Sequence, residues 1–309
     1  MKEVNTKYGV LKGVISIENY PDGKIKKCRL KDYNCLETSY GLLVPQFEDS
    51  KARRKSTSSI SFYPDGEIKA ISLNKKTKIA MKTGKYSVER ILFYKSGRIR
   101  CLFPLDGKIT GYWTEEDEYE LAEKWSFNLK CGKMTNKIIN IRFYETEAIK
   151  SITFWSEEKA IVKTLNQKMK IRIGLSLYPD GSLESCEPLS PTLVQTPIGD
   201  IMAYDCNALG INGDVNSLNF YQSGKIKSLQ TSTDIIEIKD KNGTITTIKP
   251  GLEPHLFNNE VKMTVPIQIQ FKGDFVTFSV FEEKTYKISD YEFIIKNYEE
   301  SIKSQCVSC

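Results

Sequence analysis

The chain has 309 residues, 40% of them hydrophobic and 27% charged, with 45 Lys and Arg against 39 Asp and Glu for a net charge of +6. This is the composition of a folded protein and excludes a disordered chain. A basic excess so small and so dispersed disfavours nucleic acid as a partner. No apolar run reaches the roughly 18 residues of a spanning helix, and eight cysteines are too dilute for a disulfide scaffold.

The first residues, Met1-Lys2-Glu3-Val4-Asn5-Thr6-Lys7, lack the apolar core of an export signal. A reducing, cytoplasmic compartment is the expectation.

One segment then recurs along the chain: Ile17-Glu18-Asn19-Tyr20-Pro21-Asp22-Gly23-Lys24-Ile25. It returns around Tyr63-Pro64-Asp65-Gly66, Tyr94-Lys95-Ser96-Gly97, Tyr144-Glu145-Thr146-Glu147, Tyr178-Pro179-Asp180-Gly181 and Tyr221-Gln222-Ser223-Gly224. Proline presets the first corner of a turn, Asp or Ser hydrogen-bonds locally, and Gly takes the left-handed position. A three-residue connection ending in such a Gly joins two antiparallel strands. Alternation before it, as in Ile60 and Phe62 against Ser61 and Tyr63, is that of a half-buried strand.

After each turn the apolar spacing is three and then two, as at Ile25, Cys28, Leu30 and at Ile68, Ile71, Leu73. That break in alternation predicts a β-bulge. It also places Cys28 and Cys186 in the slot held elsewhere by Ile71, Leu102, Ile152 and Leu229, as small core hydrophobes. A second turn signal lies between copies, at Thr6-Lys7-Tyr8-Gly9, Thr38-Ser39-Tyr40-Gly41, Lys82-Thr83-Gly84 and Thr196-Pro197-Ile198-Gly199. Position 147 is the exception among the first turns, since Glu stands where Gly is expected.

Three segments interrupt the frame. Residues 45–59 form a polar insertion containing Lys51-Ala52-Arg53-Arg54-Lys55, 114–123 read as a short helix with Thr114 as N-cap and carboxylates in its first turn, and 205–216 read as an Asx-rich loop. Past Pro250-Gly251 the repeat stops and three strand patterns follow. The expected organisation is a hairpin array over 1–251, a small C-terminal β cap over 252–300 and a polar tail over 301–309. The fold class is all-β, a long antiparallel meander in an open or rolled twisted sheet.

Chemistry-bearing candidates are few. The sole histidine, His255, leaves histidine-based hydrolase templates with one residue, and no catalytic residues and no cofactor are assigned. Cys306 and Cys309 have Cys-x-x-Cys spacing, the candidate for a metal or redox contact. Arg53 and Arg54 would form a phosphate-binding patch, against the plainer reading of a solvated loop. The tyrosines before the turns, Tyr20, Tyr63, Tyr94, Tyr144, Tyr178 and Tyr221, would line up as a binding platform if the array is regular, against packing on the neighbouring repeat.

The Phe-Tyr-x-Asp/Ser-Gly-x-Ile units resemble the MORN-variant hairpin repeats of YwqK-like bacterial proteins, over about residues 6–250. The period here is longer and irregular, and no Gly-Glu-Gly-type strand is present. The resemblance implies a twisted sheet that binds lipid or protein. The functional expectation is a noncatalytic binding or scaffold protein presenting an extended β surface to an unknown protein or polymer. The alternative is a metal- or redox-linked accessory protein or enzyme using the terminal cysteine pair.

Overall fold

The structure, a computed structural model, describes residues 2–49, 53–54, 58–209, 213, 215–255 and 258–297, with 255 and 258–261 followed as backbone only. The polar tail with Cys306 and Cys309, and the side chain of His255, lie outside what is described.

The described chain is a meander of β-hairpins with a single α-helix. It divides into two compact units, Met1–Trp125 with Lys137–Trp155, and Ser126–Asn136 with Ser156–Cys309. In the first, Lys2–Thr6, Gly9–Asn19, Ile25–Leu30, Ile60–Phe62, Ile68–Met81, Gly84–Phe93, Ile99–Phe103, the part of Gly132–Phe143 from residue 137 on, and Ile149–Phe154 pair antiparallel, each with the next. In the second, Ala160–Lys163, Lys168–Leu177, Leu183–Pro188, Leu218–Phe220 and Ile226–Thr231 do the same. Ile226–Thr231 then pairs with Ile267–Lys272, which continues into Phe275–Ser279 and Glu283–Lys287. Within 252–300, Ile267–Lys287 thus continues the second unit's sheet. The last strand, Glu292–Asn297, pairs back with Asp234–Lys239.

Every first turn has the expected construction. At the second copy Gly66 N donates to Tyr63 O at 2.9 Å and Tyr63 N donates to Glu67 O at 2.7 Å. Asp65 Oδ1 accepts from Glu67 N at 3.2 Å. Gly23, Gly66, Gly97, Gly181 and Gly224 have φ between 79° and 85°, so all five take the left-handed conformation that a side chain resists. Glu147 takes it too, at φ 69°, and Glu147 N donates to Tyr144 O at 2.9 Å as its glycine counterparts do. The turn keeps its geometry and the glutamate bears the strain. Arg98 Nη1 at 3.4 Å and the Tyr40 hydroxyl at 3.2 Å hold its carboxylate.

The bulge is present in all six hairpins, as a register shift just before the turn. Ser61 opposes Ala70 while Phe62 opposes Ile68, so Lys69 is the extra residue. The shift restores register one residue on. In the first unit it aligns Cys28, Ile60, Ile71, Ile91, Leu102, Ile141 and Ile152 as successive partners across the sheet. All are at most 2% exposed, each contributing roughly 1.5–3 kcal/mol of apolar burial for a full-sized side chain. Leu175, Cys186 and Leu218 form the same row in the second unit. Burial pushes the Cys28 thiol up to about 12, so both cysteines act as core hydrophobes.

Among the described residues no helix is long and apolar enough to cross a membrane. The α-helix spans Glu115–Leu121, with Thr114 Oγ1 accepting from Asp117 N and the Asp117 carboxylate accepting from Thr114 N in a reciprocal cap.

Candidate functional site

The six tyrosines sit at the hairpin turns, and the bulge decides what lies beside them. The extra residue emerges next to the ring, placing Lys26 Nζ 6.0 Å from the Tyr20 centroid, Lys69 Nζ 5.8 Å from Tyr63 and Lys150 Nζ 5.8 Å from Tyr144. These are cation–π distances at a half-exposed surface. The phenol ends point the other way, into the backbone. Tyr20 Oη donates to Phe62 O at 2.9 Å, Tyr63 to Phe93 O at 2.9 Å and Tyr94 to Phe143 O at 2.8 Å. In the second unit Tyr178 donates to Phe220 O at 2.8 Å and Tyr221 to Phe271 O at 2.5 Å. In the first four of these five bonds the acceptor is the residue immediately before the next tyrosine of the row. The hydroxyls therefore tie one hairpin to the next, and only the ring faces and bulge cations are available as surface. Tyr221 is the most open, at 37% exposure.

Arg53 and Arg54 pack inward, with side chains 14% and 6% exposed, and do not form a solvated loop face. Arg53 donates through Nε and Nη2 to both oxygens of Glu118, each at 2.9 Å, and through Nη2 to Glu89 Oε2 at 2.9 Å. Burial opposes its charge, but the bonds to Glu118 and Glu89 outweigh it and raise its pKa. Glu118 is the one buried residue of the short helix, and it also accepts from Trp113 Nε1 at 2.8 Å and Gly107 N at 2.9 Å. The basic insertion and the acidic helix thus neutralise one another, clasping two loops over the sheet. Arg54, 6% exposed, donates to Leu73 O at 2.8 Å, and its Nη2 lies 3.8 Å from Asp106.

The second unit has a smaller buried cluster. Glu187, 1% exposed, accepts from Ser217 N at 2.8 Å and Ser217 Oγ at 2.9 Å, with Arg172 Nη2 at 3.9 Å. Burial drives its carboxyl up to about 7, against the Ser217 hydrogen bonds that favour the charged form.

Around Tyr221 four chain segments leave a groove of about 610 Å³. Its floor is apolar and buried: Met169, Val194, Phe220 and Phe271 are all at most 5% exposed. Its walls are two hairpin tips and the Tyr221 turn. Gln167 Nε2 donates to Leu193 O at 2.8 Å and Asn166 Nδ2 to Gln195 Oε1 at 3.3 Å, tying the tips together. Leu165, 64% exposed, overhangs the Gly224 turn. A Cβ on that glycine would sit in ordinary contact with Leu165 Cβ, at 3.5 Å.

Sequence reading singled out Tyr221 but missed Leu165, Met169 and Phe271, and missed Glu89, Asp106 and Glu118 as partners of the arginines. The overlooked signal was an acidic residue within a largely buried strand, Glu89 in Gly84–Phe93 and Glu187 in Leu183–Pro188. Among the described residues no group of three or more His, Cys, Asp or Glu is arranged to hold a metal ion. No family model, no curated protein and no solved structure matches the chain.

Proposed function

We propose that the chain is a noncatalytic binding protein whose recognition surface is the groove beside Tyr221, and that its occupant is an extended segment of a partner protein. The observation that carries this reading is the groove itself: a space of about 610 Å³ backed by apolar side chains, while polar groups of its walls bond one another. Such a site favours an apolar or aromatic side chain, and Lys225 at the rim favours a neighbouring carboxylate. The hairpin array, with its likeness to MORN-variant repeats, supplies a rigid frame that holds three distant turns together. Core thiols at Cys28, Cys101 and Cys186, free of disulfides, suit the reducing cytoplasm.

The test is comparative capture from native lysate by tagged wild-type protein and by Leu165→Glu, which puts a charge over the floor without touching the core. A partner retained by the wild type and lost by the variant is the expected result. Identical partners, or none above the tag control, would remove the groove from the account.

A further inference from the structure

On the sheet face opposite the Ile60–Ile71–Ile91 row, the first unit is hollow at one place. The floor is made of short side chains at neighbouring register positions: Ser61 opposes Ala70, and Ser72 opposes Arg90, with Ser59 beside them. None of the three serines or Ala70 is long enough to fill the space beneath the clasped loops. What remains is a cavity of about 70 Å³, walled by Gln46, Arg54, Asp106 and Lys108. It is wide enough for several waters or one tetrahedral ion, since a water needs only some 10–15 Å³ by this measure.

Its charge is unbalanced. Three cations line it, Arg54, Arg90 and Lys108, against the one carboxylate of Asp106. That carboxylate is 3.3 Å from Arg90 Nη1, 3.4 Å from Lys108 Nζ and 3.8 Å from Arg54 Nη2. All three are longer than the roughly 2.7–2.9 Å of a well-formed charge-assisted bond. The Nε atoms of Arg54 and Arg90 are buried without a hydrogen-bond acceptor among the described residues. The nearest carboxylate oxygen to Arg54 Nε, Glu89 Oε2, is 3.6 Å away. A guanidinium cannot shed its charge, and a buried charged donor without an acceptor is costly. Even with Asp106 and Glu89 nearby, these two donors are left without an acceptor among the described residues.

We infer that this cavity binds a small tetrahedral oxyanion, phosphate or the phosphoryl group of a small molecule, between Arg54, Arg90 and Lys108 over a floor of serine hydroxyls. The walls are already fixed for it. Lys108 N donates to Arg53 O at 2.8 Å and Asp106 N to Glu89 Oε2 at 2.8 Å, so the clasp built by Arg53, Glu89 and Glu118 sets the loop backbone in place before any ligand arrives. Arg90 and Lys108, with 35% and 42% of their side chains exposed, are the cations an incoming anion meets first. No residue is shared with the groove of the second unit, so the two sites stand or fall separately.

Isothermal titration of the full chain at low ionic strength tests this, with inorganic phosphate and glycerol 3-phosphate as probes and chloride at matched ionic strength as control. Saturable phosphate binding is expected, weakened about tenfold or more in Arg90→Gln and in Lys108→Gln. Ala70→Leu fills the floor while leaving every charge in place, and is expected to abolish binding with its melting transition retained. Binding of inorganic phosphate alone identifies a free-ion site; competition by glycerol 3-phosphate identifies a phosphoryl site. Absence of saturable binding to the wild type, or binding undiminished in Ala70→Leu, overturns the inference.

Discussion

The hydroxyl of Tyr63 donates to the carbonyl of Phe93 at 2.9 Å, and Phe93 immediately precedes Tyr94, which makes the same bond to Phe143 at 2.8 Å. Each turn is thereby tied to the strand end that launches the next turn. Tyr94→Phe keeps the ring and removes only this tie. Its expected cost is about 1 kcal/mol, the net worth of one hydrogen bond, read from the urea midpoint. An unchanged midpoint would mean that water replaces the bond without loss.

Glu147 occupies a left-handed position that its five counterparts give to glycine. Glu147→Ala keeps the backbone strain and discards the contacts to Arg98 and Tyr40, so it is expected to destabilise. Glu147→Gly discards the same contacts but relieves strain of roughly 1–2 kcal/mol, offset in part by about 0.5–1 kcal/mol of added chain entropy. The glycine variant should therefore be the more stable of the two in a denaturant titration. The opposite order would place the strain elsewhere.

Thiol accessibility follows from the repeat alignment. Cys28, Cys101 and Cys186 are at most 2% exposed, and burial pushes the Cys28 and Cys101 thiols up to about 12. Cys35 is exposed. A thiol reagent followed by peptide mapping is expected to label Cys35 at once and the other three only on unfolding. Fast native labelling of Cys186 would break the equivalence of Cys186 with Ile71.

The clasp between Arg53 and Glu118 is a buried pair, with side-chain exposures of 14% and 7%. Removing one partner of such a pair is expected to cost about 3 kcal/mol, because the other charge stays buried. Glu118→Gln should approach that loss, while Glu116→Gln, on the exposed face of the same helix, should change stability by less than about 0.5 kcal/mol. Equal effects would mean that the helix acts only as a surface charge.

Glu187 makes stability depend on pH. Its folded value of about 7 lies above the ordinary 4.5, so between those limits the folded chain holds a proton that the unfolded chain has released. Stability contributed by this group is then full below about 4.5 and declines as pH rises to about 7, by about 3 kcal/mol in total. Asp205 and Asp234 are shifted upward by burial in the same sense. Glu187→Gln keeps one acceptor for Ser217 N and offers its amide N–H to the Ser217 hydroxyl instead, and should flatten the decline of the urea midpoint across this range. Parallel curves for variant and wild type would assign the dependence to the other carboxyls.

What could be read from residues alone was local. The turn around Pro64-Asp65-Gly66, the bulge at Lys69 and the core slot of Cys28 are all written within about ten residues, because turn chemistry and side-chain alternation act at that range. The destination of the Tyr63 hydroxyl was not legible, since Phe93 lies 30 residues away and only the register of two intervening strands brings it within reach. Arg53 and Glu118 stand 65 residues apart, and each alone has the composition of a solvated segment. The strand Ile267–Lys272 was visible as alternation, but its pairing with Ile226–Thr231 is a long-range choice that alternation does not encode.

That the tyrosine hydroxyls couple successive hairpins within each unit is tested most directly by hydrogen exchange in Tyr94→Phe. Faster exchange is expected at two separated places, the turn Tyr94–Arg98 and the turn that begins at Tyr144, because the lost bond joined Tyr94 to Phe143. Exchange that rises only at Tyr94–Arg98, leaving the second turn at its wild-type rate, would contradict the coupling and reduce the row to six independent turns.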